Sequence, residues 1–182
     1  MKRFVISSNL GEIEGYRTFC ETIFDVHSIF SKCFGTETML NIDLLVDNST
    51  KGSGYTPIIT PVFGALLIIK LGVEDFNNRE QIAYQFSHEL CHYVFYSLEG
   101  MDRKISTEEE SVCSAMALII MKELFPEKTF KGFCNYVSSV EGENYRKGLK
   151  VAAEVNFDMV KIKERILELT KVTGEIPGPS KR

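Results

Sequence analysis

The stretch YQFSHELCHYVFY (residues 84–96) contains two of the three histidines of the chain. His88 and His92 are four residues apart, and Glu89 directly follows the first of them. On an α-helix each residue advances about 100°, so the two imidazoles lie about 40° apart and one turn along. They can therefore converge on one metal ion, while Glu89 points beside the ion, where it can accept a proton from a metal-bound water.

The residues around this motif predict an amphipathic helix. Apolar side chains recur at every fourth position: Ile82, Phe86, Leu90, Val94 and Leu98. Leu90 lies about 200° from His88, so we expect the apolar stripe to face the core and the histidines to face a cleft. Asn77, followed three residues later by Glu80, predicts a capping box at the start of the helix.

A tetrahedral zinc site with a catalytic water needs a third protein ligand. The stretch STEEESVCSAMALIIM (106–121) supplies three consecutive glutamates at the start of a second predicted helix. Ser106 with Glu109, or Thr107 with Glu110, forms a capping box there. The segment between the two motifs is long enough for a turn into an antiparallel helix, which would bring a carboxylate to the two histidines.

The combination of HELCH with an early glutamate on the next helix resembles the gluzincin metallopeptidases, and among these the ImmA/IrrE-type proteins. Their second motif has a ligand glutamate, a small residue and an asparagine three and four positions later, then Phe-Ala and an apolar run. On this pattern, the corresponding residues are Glu109 for the ligand, Val112 for the small residue, Cys113 for the asparagine, Ala115 for the phenylalanine and 119–121 for the apolar run.

The resemblance covers residues 79–121 and departs from the family at two cysteines. Cys91 replaces the usual glycine of the first motif, and Cys113 replaces a polar residue that in the family helps to orient the first histidine. Helix phase and the pattern together favour Glu109 as the third ligand, with Glu108 and Glu110 as alternatives.

The resemblance implies a zincin-like fold with a small sheet packed on the motif helix, Zn²⁺ as the cofactor, and a peptide or protein substrate. In this fold an edge strand receives an extended peptide, and GALLIIKLGV (64–73) is the natural candidate for that strand. The predicted activity is peptide hydrolysis, with His88, His92 and Glu109 as metal ligands and Glu89 as the catalytic base.

The rest of the chain predicts an α+β domain over residues 1–173 and a flexible tail over 174–182. The predicted elements are strands in 3–7, 38–47 and 64–73, a helix over 16–34 that ends at Gly35, a loop over 48–61, and a mostly helical segment over 129–172 weakened at Gly142 and Gly148. Strands followed by a helical second half are typical of the α+β class.

Composition excludes several other classes of protein. The chain has 182 residues with a net charge of −4, and lacks the dense Lys/Arg runs of a nucleic-acid-binding surface. Five scattered cysteines without a CxxC pair indicate reduced thiols, and the apolar runs are too short for a signal peptide or a membrane span, so we expect a cytoplasmic protein.

Two alternatives remain: a catalytically silent zinc-binding regulatory module and a metal-free helical interaction protein. His27 is more typical of a packed or surface residue than of a ligand. Tyr93, Tyr96 and Tyr136 are candidates for stabilising an oxyanion, and their spacing selects none of them.

Overall fold

The computed structural model describes residues 3–49, 56–139 and 143–173, without the side chains of residues 144, 145, 172 and 173. In these ranges the chain forms an α+β fold, as predicted. The strands are β1 (Phe4–Ile6), β2 (Asp43–Asn48), β3 (Ile58–Val62) and β4 (Leu66–Leu71). The helices are α1 (Tyr16–Phe34), α2 (Thr36–Met39), α3 (Arg79–Glu99), α4 (Thr107–Leu124), α5 (Glu127–Ser139), α6 (Glu143–Glu154) and α7 (Met159–Thr173). The predicted tail, 174–182, lies outside the described residues.

The four strands form one mixed sheet in the order β1-β2-β4-β3. β2 is parallel to both β1 and β4, whereas β3 is antiparallel to β4. Burial alternates along β2 and β4, because successive side chains of a strand point to opposite faces of the sheet. The core face carries Leu44, Val46, Leu67 and Ile69. β1 and β3 are the two edges of this sheet.

Helix α3 is the central element of the fold. It contacts β3, β4, α1, α4 and α7, and α4 in turn packs against α6. Because α3 is covered on several sides, nearly all of the segment 82–96 is buried. The sequence predicted burial of only one apolar stripe of this helix. Leu98, the last residue of that stripe, is exposed. No helix in the described ranges is both long and apolar enough to cross a membrane.

Two strand predictions were wrong in detail. The strand predicted over 38–47 begins only at Asp43, because Thr36–Met39 forms the short helix α2 and leaves Leu40 exposed. The loop predicted over 48–61 contains most of β3. The sequence did not predict this strand, because Pro61 is typical of a loop. Proline is tolerated there because β3 is an edge strand, where one side of the backbone needs no ladder hydrogen bond.

The predicted edge strand is also corrected. GALLIIKLGV contains β4, which lies between β2 and β3 and is hydrogen-bonded on both sides. The sheet edge next to α3 belongs to β3 instead. The hairpin partner that covers β4 could not be inferred from the apolar run itself.

The caps of the two motif helices lie close to the predicted positions. Asn78, and not Asn77, caps α3, since its side chain accepts a hydrogen bond from the Gln81 N–H at 3.0 Å. The Asn77 N–H instead donates to Asp75 in the preceding turn. Ser106 caps α4 by accepting from the Glu109 N–H at 3.1 Å, which decides between the two predicted capping boxes.

The predicted helical second half is confirmed as α5, α6 and α7. Gly142 lies outside the described residues, whereas Gly148 lies inside α6, where it touches α4. A methyl group at Gly148 would lie 2.3 Å from the Ser114 Cβ and 3.3 Å from the Ala115 nitrogen. Gly148 is therefore required by the close approach of two helices.

We expect Gly148→Ala to lower the free energy of unfolding by about 1–3 kcal/mol, because the added methyl group must push α6 away from α4. The matched control is Gly132→Ala in α5, where an added methyl group meets no atom within 4 Å. This control should raise stability by roughly 0.5–1 kcal/mol through better helix propensity. Urea denaturation of both variants measures the difference, and equal stabilisation of the two would contradict the packing argument.

Candidate metal centre

Helix α3 carries His88, Glu89 and His92 into one side of a cleft. Glu89 is 4% exposed and His92 is 2% exposed, whereas His88 is partly exposed at the cleft surface. The rings of the two histidines meet edge to face, and their Nε2 atoms are 3.3 Å apart. The structure thus brings together the three residues of the first motif as the helical spacing predicted.

The three consecutive glutamates of α4 point in three directions, because each helical residue advances about 100°. Glu108 is exposed and lies 3.5 Å from the Arg165 guanidinium. Glu109 is buried and faces the Nδ1 side of His92 at 2.7 Å. Glu110 faces the Nε2 side of both histidines.

Glu110 therefore occupies the position that the sequence analysis favoured for Glu109. Its Oε2 atom lies 3.3 Å from the His88 Nε2, and its Oε1 atom lies 3.5 Å from the His92 Nε2. In a tetrahedral complex with metal–ligand bonds of about 2.0–2.1 Å, neighbouring ligand atoms lie about 3.3–3.4 Å apart. The two Nε2 atoms have this spacing, and each has a Glu110 oxygen at a similar distance, Oε2 for His88 and Oε1 for His92. One ligand atom from each of the three residues lies within 4.8 Å of the others, so the group could hold a metal ion.

Glu109 holds His92 in the orientation that this arrangement requires. One of its oxygens lies 2.8 Å from Arg103 Nη1, and the other pairs with Arg103 Nη2. A carboxylate paired in this way can only accept, so the His92 Nδ1 carries the proton and donates it to Glu109. In the neutral form of the ring, the His92 Nε2 then has the lone pair that a metal ion would need; a carboxylate on the opposite nitrogen orients metal-binding histidines in this way.

Arg103 is itself fixed by several contacts in the segment between α3 and α4. Its Nε donates to Glu99 at 2.5 Å, and its guanidinium lies over the rings of Phe95 and Tyr96 at 5.2 and 5.3 Å. The sequence analysis missed this residue, because an arginine in a turn carries no local signal of a buried ion pair.

A second potential metal group consists of His92, Glu109 and Cys113. Its atoms lie on the Nδ1 side of His92, where the Cys113 Sγ is 3.5 Å away. Glu109 is already engaged by Arg103, and burial raises the pKa of the Cys113 thiol well above its usual value, which disfavours the thiolate. The group on the Nε2 side is the better candidate for a metal site.

The hydroxyl of Ser114 contacts the first histidine of the motif. Its Oγ lies 3.3 Å from the His88 Nδ1 of α3, and the residue is almost completely buried, with Gly148 of α6 close to its Cβ. The sequence analysis assigned this position to Cys113, which instead lies beside His92. Counting the second motif from Glu110 instead of Glu109 would have placed Ser114, and not Cys113, at this position.

The acid–base properties of the site follow from burial and from its carboxylates. Burial lowers the pKa of the His92 imidazole, but the Glu109 and Glu110 carboxylates outweigh this effect and raise it to about 10. Hydrogen bonds from the two histidines hold the pKa of the Glu110 carboxyl well below its usual range. Protons and metal ions therefore compete for the same ring, and metal binding near neutral pH must displace a proton.

Burial raises the pKa of the Glu89 carboxyl above its usual value, while His88 and His92 act in the opposite direction. A hydrogen bond with the backbone of Ile59 also lowers this pKa, which places Glu89 next to the edge strand β3. A carboxylate whose pKa is moved towards neutrality is a better general base than an exposed one.

The cleft that contains these groups has a volume of about 1050 Å³. β3 forms one wall, α3 carries the histidines, and α5 forms an aromatic wall on another side. The lining includes Ile58, Ile59, Tyr84, Gln85, Phe133, Tyr136 and Val137 together with His88, Glu89, His92 and Glu110. An apolar groove with a few convergent polar groups is typical of a ligand-binding site.

Of the three tyrosines considered from the sequence, only Tyr136 lines this cleft. The Tyr93 hydroxyl is buried and lies 2.8 Å from the Ile42 carbonyl, and Tyr96 packs against Arg103. Tyr84 also lines the cleft. It lies one helical turn before His88 on α3, and this spacing in the sequence could have identified it as a cleft residue.

The remaining candidates lie away from the cleft lining. His27 stacks on Phe4 with ring centroids 4.2 Å apart, and burial lowers the pKa of its imidazole. Cys91 is completely buried in the core. Both residues behave as packed side chains.

Comparisons of the chain with protein-family models, with curated proteins and with solved structures found no match.

The three glutamates of α4 provide a matched series of substitutions to glutamine. We expect Glu110→Gln to weaken zinc binding by at least about 100-fold, and Glu109→Gln by about 10–100-fold, since the second acts only through His92. Glu108→Gln should leave the affinity unchanged. Competition with a chromophoric chelator measures all three affinities, and circular dichroism checks that each variant is folded.

If Glu109→Gln abolishes zinc binding while Glu110→Gln retains it, the third ligand is Glu109, as the sequence analysis favoured. A metal content close to one zinc per chain for the unaltered protein, measured by elemental analysis, is expected in the same experiment.

Proposed function

We propose that the chain is a zinc-dependent metallopeptidase. His88, His92 and Glu110 would hold the metal ion, and Glu89 would act as the general base. The observation that carries this proposal is that the two histidine Nε2 atoms lie 3.3 Å apart and each has a Glu110 oxygen at 3.3–3.5 Å, next to a buried carboxylate in the same cleft. This ligand set replaces Glu109 of the sequence analysis by its neighbour.

A shift of one residue in the second motif changes its fit to the ImmA/IrrE-type pattern: the fit improves at the small and polar positions, whereas the apolar run becomes 120–122 and includes Lys122. With Glu110 as the ligand, Cys113 takes the position of the small residue and Ser114 that of the polar residue. Met116 then takes the position of the phenylalanine in the Phe-Ala pair, and Ala117 takes that of the alanine. The contact between Ser114 and the His88 Nδ1 supports this register, because it is the contact expected of the polar residue.

The placement of β3 supports a zincin-like arrangement for substrate binding. Among the described strands β3 is a sheet edge, and it lines the cleft beside the motif helix α3. The outward carbonyls of such an edge can accept main-chain hydrogen bonds from an extended peptide, whereas Pro61 has no N–H to donate. The aromatic wall formed by Tyr84, Phe133 and Tyr136 would then contact side chains near the scissile bond.

Bound zinc would supply a Lewis acid that polarises the scissile carbonyl and acidifies the attacking water. The Glu89 carboxylate accepts the proton of that water and later delivers it to the leaving amine. Glu109 and Ser114 keep both imidazoles oriented through their Nδ1 atoms during these steps. The apolar walls exclude bulk water from the reacting groups.

We expect Glu89→Gln to retain zinc and to lose peptide hydrolysis by about 10²–10⁴-fold, because the amide cannot accept the proton. Glu108→Gln is the matched control, since Glu108 is exposed at the start of α4, pairs with Arg165 and does not line the cleft. It should keep activity within about threefold. Hydrolysis is followed with denatured casein and with a mixture of quenched fluorescent peptides.

Normal hydrolysis by the Glu89→Gln variant would disprove the assigned base. Full zinc occupancy of the unaltered protein without any hydrolysis would instead favour the silent zinc-binding module, and absence of bound zinc would favour the metal-free interaction protein.

A further inference from the structure

The end of the cleft away from the two histidines holds a third carboxylate. Glu80 lies in the first turn of α3, is partly buried and lines the cleft. Tyr84 follows one turn later and His88 two turns later, so the backbone of Glu80 lies about 6 Å along the helix from Tyr84 and about 12 Å from His88. The proposed hydrolysis involves Glu89 and Glu110 and does not involve Glu80.

Glu80 differs from its polar neighbours on α3 because its side chain is not engaged within the protein. Gln81 donates to the Gly72 carbonyl at 3.3 Å, and Gln85 accepts from the Gly72 N–H at 2.9 Å. Arg79, the preceding residue, pairs at 3.0 Å with an aspartate of α1. Within the described ranges, the Glu80 carboxylate takes part in neither an ion pair nor a side-chain hydrogen bond.

A position in the first turn of a helix explains only part of the role of Glu80. A glutamate there is stabilised by the helix dipole, whatever else it contacts. Glu108 has the same place in α4, since each of the two is the second residue of its helix. Glu108, however, pairs with Arg165 and lies outside the cleft lining. The two glutamates therefore separate a contribution to the helix, which both can make, from a contribution to the cleft.

The charge of the cleft lining is one-sided. Three glutamates line the cleft, and among the described residues no lysine or arginine does. Glu89 and Glu110 lie beside the two histidines, where imidazolium or a bound metal ion would offset their charge. The charge of Glu80 has no such partner. A cleft with one sign of charge between apolar walls attracts a ligand group of the opposite sign.

A row of aromatic rings lies next to this carboxylate. The Tyr84 ring centroid is 4.9 Å from that of Phe133, which in turn is 5.9 Å from that of Tyr136. Tyr136 is 63% exposed, so much of its ring is open to a ligand. Lysine and arginine have apolar stems that pack on such rings and cationic heads that are attracted to ring faces and to carboxylates. The combination of this row with Glu80 matches a basic side chain better than an acidic or a purely apolar one.

We propose that Glu80 and this aromatic row form a subsite that takes a lysine or arginine side chain of the substrate. The stem packs on the Phe133 and Tyr136 rings, and the cationic head pairs with the Glu80 carboxylate. The position of the scissile bond in this proposal rests on the proposed function. At 3.3 Å per residue of an extended peptide, the separation of about 12 Å between Glu80 and His88 places the basic residue within about four positions of that bond.

The test introduces Glu80→Gln or Glu108→Gln into the full-length Glu89→Gln protein loaded with zinc, which binds peptides without turnover. The probes are neutral fluorescent decapeptides of leucine, alanine and serine that carry a single arginine, moved from position to position. A second series carries citrulline, the uncharged analogue of arginine, at the same positions. Fluorescence anisotropy measures both affinities, and their ratio within one variant is insensitive to any loss of folded protein.

We expect arginine to bind about five- to tenfold more tightly than citrulline at one position of the peptide, as for a partly exposed ion pair combined with a cation–π contact. Glu80→Gln should reduce this preference to less than about twofold, whereas Glu108→Gln should keep it. Tyr136→Leu retains apolar bulk but lacks an aromatic face, so it should reduce the preference about twofold.

Equal binding of the arginine and citrulline peptides at every position, or no binding of any peptide, overturns the proposal. A preference that survives Glu80→Gln, or that Glu108→Gln removes equally, also overturns it, because the attraction then comes from the net charge of the protein. If the preference holds but the unaltered protein cleaves none of the peptides, the subsite stands and the proposed hydrolysis fails. Cleavage without any preference for arginine has the opposite meaning.

Discussion

A buried ion network between α3 and α4 is the constraint on which the candidate site depends. Arg103, only slightly exposed, pairs with both oxygens of Glu109, and Glu109 also accepts the proton of His92 Nδ1. Removing these charges from water is costly, and the cost is offset only when every partner stays in place. The network therefore fixes the rotation of α4 about its axis. With Glu109 held on one side of His92, the next residue, Glu110, must face the Nε2 atoms of the two histidines.

Packing behind the site reinforces this rotation. Gly148 lets α6 approach α4 so closely that Ser114 has no room to move, and the Ser114 hydroxyl remains beside the His88 Nδ1. Close-packed interiors transmit small displacements, so a shift of α6 would reach the first histidine through one residue. The two imidazoles are thus oriented by different elements: His92 by a charge network in the helix connection, and His88 by the tight crossing of α4 and α6.

The opposite side of the cleft is built on a different principle. β3 is a short edge strand that contains Pro61 and leads to an exposed hairpin tip with positive φ angles, so it contributes little to the core. The side of the cleft that carries the two histidines consists of buried helices, which hold atoms at fixed separations.

Periodicity in the sequence was sufficient to determine the α+β class, the motif helix with His88, Glu89 and His92, and the capped second helix. These features depend on residues a few positions apart, whose separation on a helix is fixed by backbone geometry. The sequence could not decide between Glu109 and Glu110, nor identify β3 as the edge. A helix's rotation within the fold and a strand's neighbours depend on distant partners such as Arg103, Gly148 and the hairpin. Those partners become neighbours only when the chain packs, and therefore only the tertiary structure decided which carboxylate faces the two imidazoles.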